Sequence, residues 1–343
     1  MIYTMFVRIV LGFWAVCMLA GCGKRDSESI PFRSEFALDT VCTITLYEWG
    51  DHDLYERIFA RIHEIESRMS AHIEGNDIDR INQAAGIEAV QVHLDVFEVI
   101  ERAVHYAQIS EGSFDPTVKP LITLWGIGSD QQRVPGQEEI DGVLPLIDWQ
   151  NILLNREDRT VFLSRPGMAL DLGAIAKGYA ADEAAAIIRQ ARIPQAIVYL
   201  GGDIVLVGKK NDGTPWRVGV SDPLRDRTIS LGTIQTEEKA VLTSGNMERY
   251  FIEDGVHYHH LFSPFLGYPA DSGLMAVVII ADSALDADAL STAVFILGYE
   301  EGKALVESLE GVDAIFVRED KTVRLIGDID FILSDESYRI VGD

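Results

Sequence analysis

The hydrophobic positions change their period several times along the chain, and each change marks an element. In "EFALDTVCTITLYEW" the residues Phe36, Leu38, Cys42, Ile44 and Leu46 fall on one side of an alternating run, the pattern of a half-buried strand. "LYERIFARIHEIESRMS" then places Leu54, Ile58, Ile62, Ile65 and Met69 at helical spacing. A second helix is predicted through "LDVFEVIERAVHYAQIS", with Leu94, Phe97, Ile100 and Val104 inward and its end before Gly112. Beyond it the period drops to two. "NILLNREDRTVFLS", "RYFIEDGVHYHHLFS" and "AIFVREDKTVRLIG" each join two β-prone runs through a charged turn, as hairpins do. Between them "AIAKGYAADEAAAIIRQAR" reads as a helix and "QAIVYLGGDIVLVG" as a strand pair. Hairpins and helices without regular β-α alternation predict an α+β fold, with antiparallel or mixed sheets and packed helices in one large unit that has room for two lobes. The most loop-like interior segment is "GSDQQRVPGQEEIDG", residues 128–142.

The first residues break this pattern. "MIYTMFVRIVLGFWAVCMLAGCGKRDS" has one early Arg, a short apolar run and small residues before Cys22, the layout of a secretory signal. "LAGC", residues 19–22, resembles the bacterial lipobox, in which the peptide is cut before the Cys and that Cys is lipidated. The expected organisation is a signal peptide over 1–21, a polar tether over 22–34, a catalytic domain over 35–333 and a tail over 334–343. The expected location is the bacterial cell envelope, on the periplasmic or extracytoplasmic side, anchored to the membrane through lipid on Cys22. Cys17 leaves with the signal and Cys22 is acylated, so Cys42 has no partner and is read as a buried small hydrophobe. Lys and Arg number 29 against 54 Asp and Glu, a formal net charge of −25, which argues against a nucleic-acid partner. An anionic substrate would need local compensation from a divalent metal, a Lys or a helix N-terminus.

Several segments carry chemistry-bearing residues. In "DADALST" Asp286 stands three residues after Ser283, the spacing of a capping box, and is read as serving amides of the first helical turn. Asp288 shares a helix face with Ser291 and Thr292 beside Leu285, Ala289 and Ile296, with no Lys or Arg within a turn to pair it. In "MALDLGAIAKGYAADEAA" an apolar strand is expected to end at Asp171, followed by Gly173 and a helix with Lys177 in its first turns. That arrangement suits either an anion facing the helix start or a solvated Lys. It is not a Walker loop, because Lys177 precedes Gly178 and no hydroxyl follows. Period two puts His257 and His259 on one side of their strand and His260 on the other. The first two could ligate zinc, although no Cys cluster supports it. "SEGSFDPTVKPLITLWG" sets Ser113, Phe114 and Asp115 in a turn, and "YLGGDIVLVG" puts Gly201 and Gly202 before Asp203.

Taken in order after the lipobox, "FDPTVKPLITLWG", "LDLGAIAKGYAAD", "YLGGDI", "LTSGN", "YHHLFSP", "GYP" and "DADALSTAVFILG" resemble the FAD:protein FMN transferases. These are also called the thiamine-biosynthesis lipoprotein family, with treponemal-type members described as flavin-trafficking lipoproteins. The resemblance implies Mg²⁺ held by the backbone carbonyl of Ala174 and by Asp288 and Thr292, with the carbonyl of Ser291 nearby. A hard-oxygen set of this kind suits Mg²⁺ better than zinc. It implies FAD as substrate, contacted by Leu38, Ser113, Phe114, Asp115, Asp171, Lys177 and the backbone near Leu261, with His72 near the adenine. It further implies Lys177 and the metal neutralising phosphate charge, and His260 as general base. The implied reaction moves FMN from FAD to a Thr or Ser hydroxyl of exported redox proteins, such as subunits of membrane NADH:quinone or electron-transport complexes, and releases AMP. Hydrolysis of FAD to FMN and AMP, or flavin binding without turnover, are the alternatives. The chain departs from the family pattern at Leu38, where Met is common, and at His72, where Tyr or Asn is frequent. Ser263 and Leu266 replace the Asp and Thr of a D-P-x-T-G continuation.

Overall fold

The computed structural model describes residues 32–47, 52–225 and 229–342; the expected signal peptide, Cys22 and nearly all of the expected tether lie outside them. Nine strands cross one sheet in chain order: Phe32–Ala37, Thr40–Leu46, Gln195–Leu200, Asp203–Gly208, Ala240–Gly245, Leu274–Ala281, Asp313–Arg318, Thr322–Ile326 and Arg339–Ile340. Neighbours are antiparallel except the last pair. The strand Leu274–Ala281 is buried at every residue, because both faces of the sheet are covered there. On one face Val277 and Ile279 pack with the helices His52–Met69, Leu94–Ile109, Ala176–Gln190 and Ala284–Leu297. On the other Val278 and Ile280 meet Trp216, Val218, Leu231 and Phe331 of a three-stranded sheet, built from Trp216–Ser221, Ser230–Thr236 and Asp330–Leu333. The fold is therefore α+β, as its periodicities imply.

The expected two helices and three hairpins are present, the hairpins with antiparallel registers such as Ile152↔Leu163, Tyr250↔His259 and Phe316↔Arg324. Leu94 is not in the core, opening its helix at 51% exposure, whereas Val104 is half-buried against the core. Where described, the alternating run is a hairpin of Phe32–Ala37 and Thr40–Leu46 rather than one strand. Leu38 and Asp39 take φ of 53° and 58°, the left-handed pair of a tight hairpin turn, without the Asn-Gly signal that usually announces one. Cys42, Ile44 and Leu46 are buried as expected, whereas Phe36 points outward. Met168–Leu172 forms no strand; the Asn82 side chain both donates to the Leu170 carbonyl and accepts from its N–H, and the Asp171 N–H donates to the Pro116 carbonyl at 2.8 Å.

Residues 334–342, expected as a tail, belong to the fold. Tyr338 is buried, donates to Asp222 at 2.8 Å, and precedes the last strand of the large sheet. The large sheet likewise begins at Phe32, inside the expected tether. The loop-like stretch at 128–142 is a surface excursion containing the helix Gln137–Val143. It is tied down by Trp125, which packs with Ile140, Phe251 and Phe262 and donates from Nε1 to the Gly267 carbonyl at 2.9 Å. The described residues thus form one unit and not two lobes.

Candidate active site

A cleft of about 830 Å³ opens on the helical side of the large sheet. It gathers segments far apart in sequence: the Leu38–Thr40 turn, the end of the first helix, the Ser113–Pro116 turn, the Asp171–Lys177 segment, and residues around Ser244, His260 and Asp288. Leu38, His72, Ser113, Phe114, Asp115, Asp171, Ala174, Lys177, His260, Leu261, Asp288 and Thr292 all line it. Ser291 sits just behind, fully buried, and Cys22 lies outside the described residues.

The wall that carries Asp288 depends on Gly178. A Cβ there would come within 2.2 Å of the Ala284 carbonyl oxygen and 2.8 Å of the Asp288 Cβ, so only glycine lets the two helices approach this closely. At that distance the Gly178 N–H, one of the unpaired amides of a helix start, donates to Asp288 Oδ2 at 2.8 Å. Asp288 is 5% exposed, and burial pushes its carboxyl well above the ordinary carboxylate range against the pull of Lys177. Lys177 is salt-bridged to Asp203. Although burial opposes its charge, Asp203 and Asp288 hold the ammonium above its ordinary value.

Oxygen atoms cluster beside this carboxylate. Ser291 donates to the Asp288 carbonyl at 2.9 Å; Ser244 lies 2.8 Å from the Ser291 hydroxyl and 3.3 Å from that of Thr292. No group of three His, Cys, Asp or Glu side chains suited to a metal occurs among the described residues. One buried carboxylate beside hydroxyl and backbone carbonyl oxygens is a hard donor set, which fits a Mg²⁺-like cation and not zinc.

The three histidines separate clearly. His259 is buried with both ring nitrogens engaged: Nε2 donates to the Ala270 carbonyl at 3.1 Å, and Nδ1 accepts from the Leu261 N–H at 3.3 Å. His257 stacks on Tyr250 with ring centres 4.4 Å apart. The zinc reading of this pair fails, because His259 has no nitrogen left to ligate. His260 lines the cleft, and its Nδ1 lies 3.2 Å from the Arg249 carbonyl. A carbonyl only accepts, so Nδ1 carries the proton and Nε2 keeps its lone pair. Burial and the nearby charge of Arg249 hold this imidazole well below its ordinary range, and therefore neutral.

Other expected roles are altered by what the fold already uses. Asp115 accepts from the Thr117 N–H and hydroxyl at 2.8 and 2.6 Å and from the Trp149 N–H at 3.1 Å, so both its oxygens brace the turn that presents Ser113 and Phe114. Burial raises it to about 6. Asp171 accepts from the Gly173 N–H at 2.8 Å and pairs with Lys119 at 3.4 Å. Asp286 does not serve its helix's first amides. It pairs with Arg102 at 2.5 Å, while Asp182 of the preceding helix accepts from the Ser283 hydroxyl and the Ala284 and Leu285 N–H groups at 2.9 to 3.0 Å. Asp182, Asp203, Ser244 and Arg249 carry roles that no sequence pattern revealed, because each acts on a partner at least 26 residues away or through backbone geometry.

The sequence profile of the ApbE family matches residues 38–316. The FAD:protein FMN transferase of Treponema pallidum (strain Nichols) is 34% identical over 329 residues, covering 90% of this chain and 91% of that protein. The crystal structure of the ApbE protein from Thermotoga maritima superposes with a TM-score of 0.78 at 34% identity, over 88% of this chain and 96% of that one. The flavin transferase ApbE from Vibrio cholerae superposes with a TM-score of 0.75 at 25% identity, over 90% of this chain and 97% of that one. With its motifs gathered in one cleft and the match running through nearly the whole described fold, the chain belongs to the ApbE family.

Proposed function

We propose that this protein transfers FMN from FAD to a Thr or Ser hydroxyl of another protein and releases AMP. The observation that carries the reading is the pairing, in one cleft, of a neutral His260 with a free Nε2 and a buried Asp288 that shares the cleft lining with Ser244 and Thr292. Relatives at 34% identity, matched over most of this chain and of their own length, bear the name of that activity.

Asp288, Thr292 and the carbonyls of Ala174 and Ser291 would hold Mg²⁺. When bound, the cation supplies positive charge to the phosphate oxygens of FAD. The remaining chemistry belongs to the chain. Phe114 and Leu261 offer apolar surface to the flavin, and the Ser113–Pro116 turn is rigid because Asp115 ties it to Thr117 and Trp149. His260 Nε2 takes the proton of the acceptor hydroxyl. As it does, the hydroxyl oxygen bonds to the phosphorus of the FMN half, and the bond from that phosphorus to the bridging oxygen breaks. The products are an FMN phosphoester on the acceptor and AMP carrying the bridging oxygen; the proton passes from His260 to solvent. Leu38 is held in a left-handed turn by the bond from its N–H to Glu66 at 2.7 Å, which places a side chain unusual in that conformation at the cleft edge.

The acceptor expected on this reading is an exported redox protein, and lipid on Cys22, in a segment that resembles a lipobox, would hold the enzyme at the membrane surface that faces it. Incubating the purified chain with FAD, Mg²⁺ and a Thr-bearing acceptor peptide tests the function. Mass spectrometry should find the peptide heavier by one FMN less water. AMP and free FMN with an unmodified peptide would mean that water is the acceptor.

A further inference from the structure

The cleft has a charge imbalance that Lys177 does not correct. Asp39, Glu66, Asp115, Asp171, Glu248 and Asp288 line it, and among the described residues only Lys177 and Arg249 bring fixed positive charge to its walls. On the reaction proposed above, on which this inference rests, the substrate adds a pyrophosphate dianion to that space. Lys177 is already salt-bridged to Asp203 and lies in the field of Asp288, so the protein's own carboxylates match its charge.

Arg249 stands differently. It is exposed at the cleft wall and has no ion-pair partner among the described residues. Its carbonyl accepts from the His260 N–H at 3.1 Å and from the His260 ring at 3.2 Å, so its main chain is fixed directly beside the base. We infer that Arg249 is a substrate-contacting residue, whose guanidinium binds phosphate oxygens of the FAD pyrophosphate on the side of His260. A guanidinium suits this place: it offers paired donors to two oxygens at once. As the old phosphorus–oxygen bond breaks and the new one forms, charge spreads over the non-bridging oxygens and the departing AMP phosphate. A cation beside His260 stabilises that charge, and it also discourages protonation of the base.

The test uses Arg249→Ala and Arg249→Lys in the full-length chain. Arg249→Ala should lose roughly 10²-fold in kcat/KM for flavin transfer, the scale seen when one donor to a developing anion is removed. Arg249→Lys should recover part of it. Added guanidinium should partly restore Arg249→Ala, while urea, similar in shape but uncharged, should not. Calorimetry should show Arg249→Ala binding FAD at least several-fold more weakly and riboflavin, which lacks phosphate, equally well. Transfer within about threefold of wild type, or a loss that neither Lys nor guanidinium relieves, overturns the inference. Should the wild-type chain release no AMP from FAD, the transferase reading fails, and the FAD and riboflavin titrations still decide on Arg249. Selective loss of FAD affinity upholds it, and unchanged affinity for both ligands overturns it.

Discussion

Two carboxylates at the junction of the helices Ala176–Gln190 and Ala284–Leu297 make an instructive pair. Asp182 and Asp288 are both drawn out of water, and each accepts from the start of the other's helix. Asp182 receives three donors and is spent on holding the junction together. Asp288 receives one, from Gly178, and faces the cleft with capacity left over. The same residue type is structural in one case, where it is half-buried, and available for chemistry in the other, where it is buried. The count of satisfied lone pairs separates their roles.

The contrast can be broken most sharply at Asp288. Asp288→Ala should lower Mg²⁺-dependent transfer by about 10³-fold, comparable to removing a key charge-stabilising group, with little change in thermal midpoint. Equal turnover by the variant at limiting Mg²⁺ would remove Asp288 from the metal site. His260→Ala should cost roughly 10²-fold or more in transfer while still binding FAD, the scale of a lost general base. His257→Ala, on the stacked side of the hairpin, should change transfer little, and steady-state assays of the two variants check both statements.

The pH profile sharpens the same assignment. Desolvation, with Arg249, His259 and Lys177 nearby, lowers the His260 pKa, so the neutral base persists as pH falls. The acid limb of kcat/KM attributable to His260 should therefore lie well below the ordinary imidazole value of about 6.5. A limb at or above 6.5 that vanishes in His260→Ala would contradict the geometry.

Asp182→Ala should have the smallest effect on chemistry and a clear one on stability. Losing the acceptor for a helix start costs about 1–2 kcal/mol, seen as a lower urea midpoint, with transfer per folded molecule near wild type. Strong loss of transfer at unchanged stability would erase the distinction between the two carboxylates.

Much of this arrangement is legible in the sequence, for physical reasons. Helical spacing at Leu54, Ile58, Ile62, Ile65 and Met69 and alternation at Cys42, Ile44 and Leu46 reflect burial, and all eight side chains are buried. Asp288 is conspicuous because no basic residue stands within a turn of it. What stayed hidden depends on contacts across the fold. The Leu38–Asp39 turn breaks a run whose alternation continues through it, and Asp286 looked like the capping acid because its real competitor, Asp182, lies about a hundred residues earlier. Asp203 and Arg249 acquire meaning only when the sheet and the hairpin bring them to Lys177 and His260.

On the proposed reaction the cleft couples cleavage of the FAD pyrophosphate to capture of a hydroxyl. The most direct measurement is the ratio of AMP released to flavin-labelled acceptor formed, taken over the same time course with Mg²⁺ present. One AMP should appear for each labelled acceptor in the wild-type chain, with both products falling together in Asp288→Ala and His260→Ala. AMP accumulating in large excess over labelled acceptor, at saturating acceptor, would contradict it.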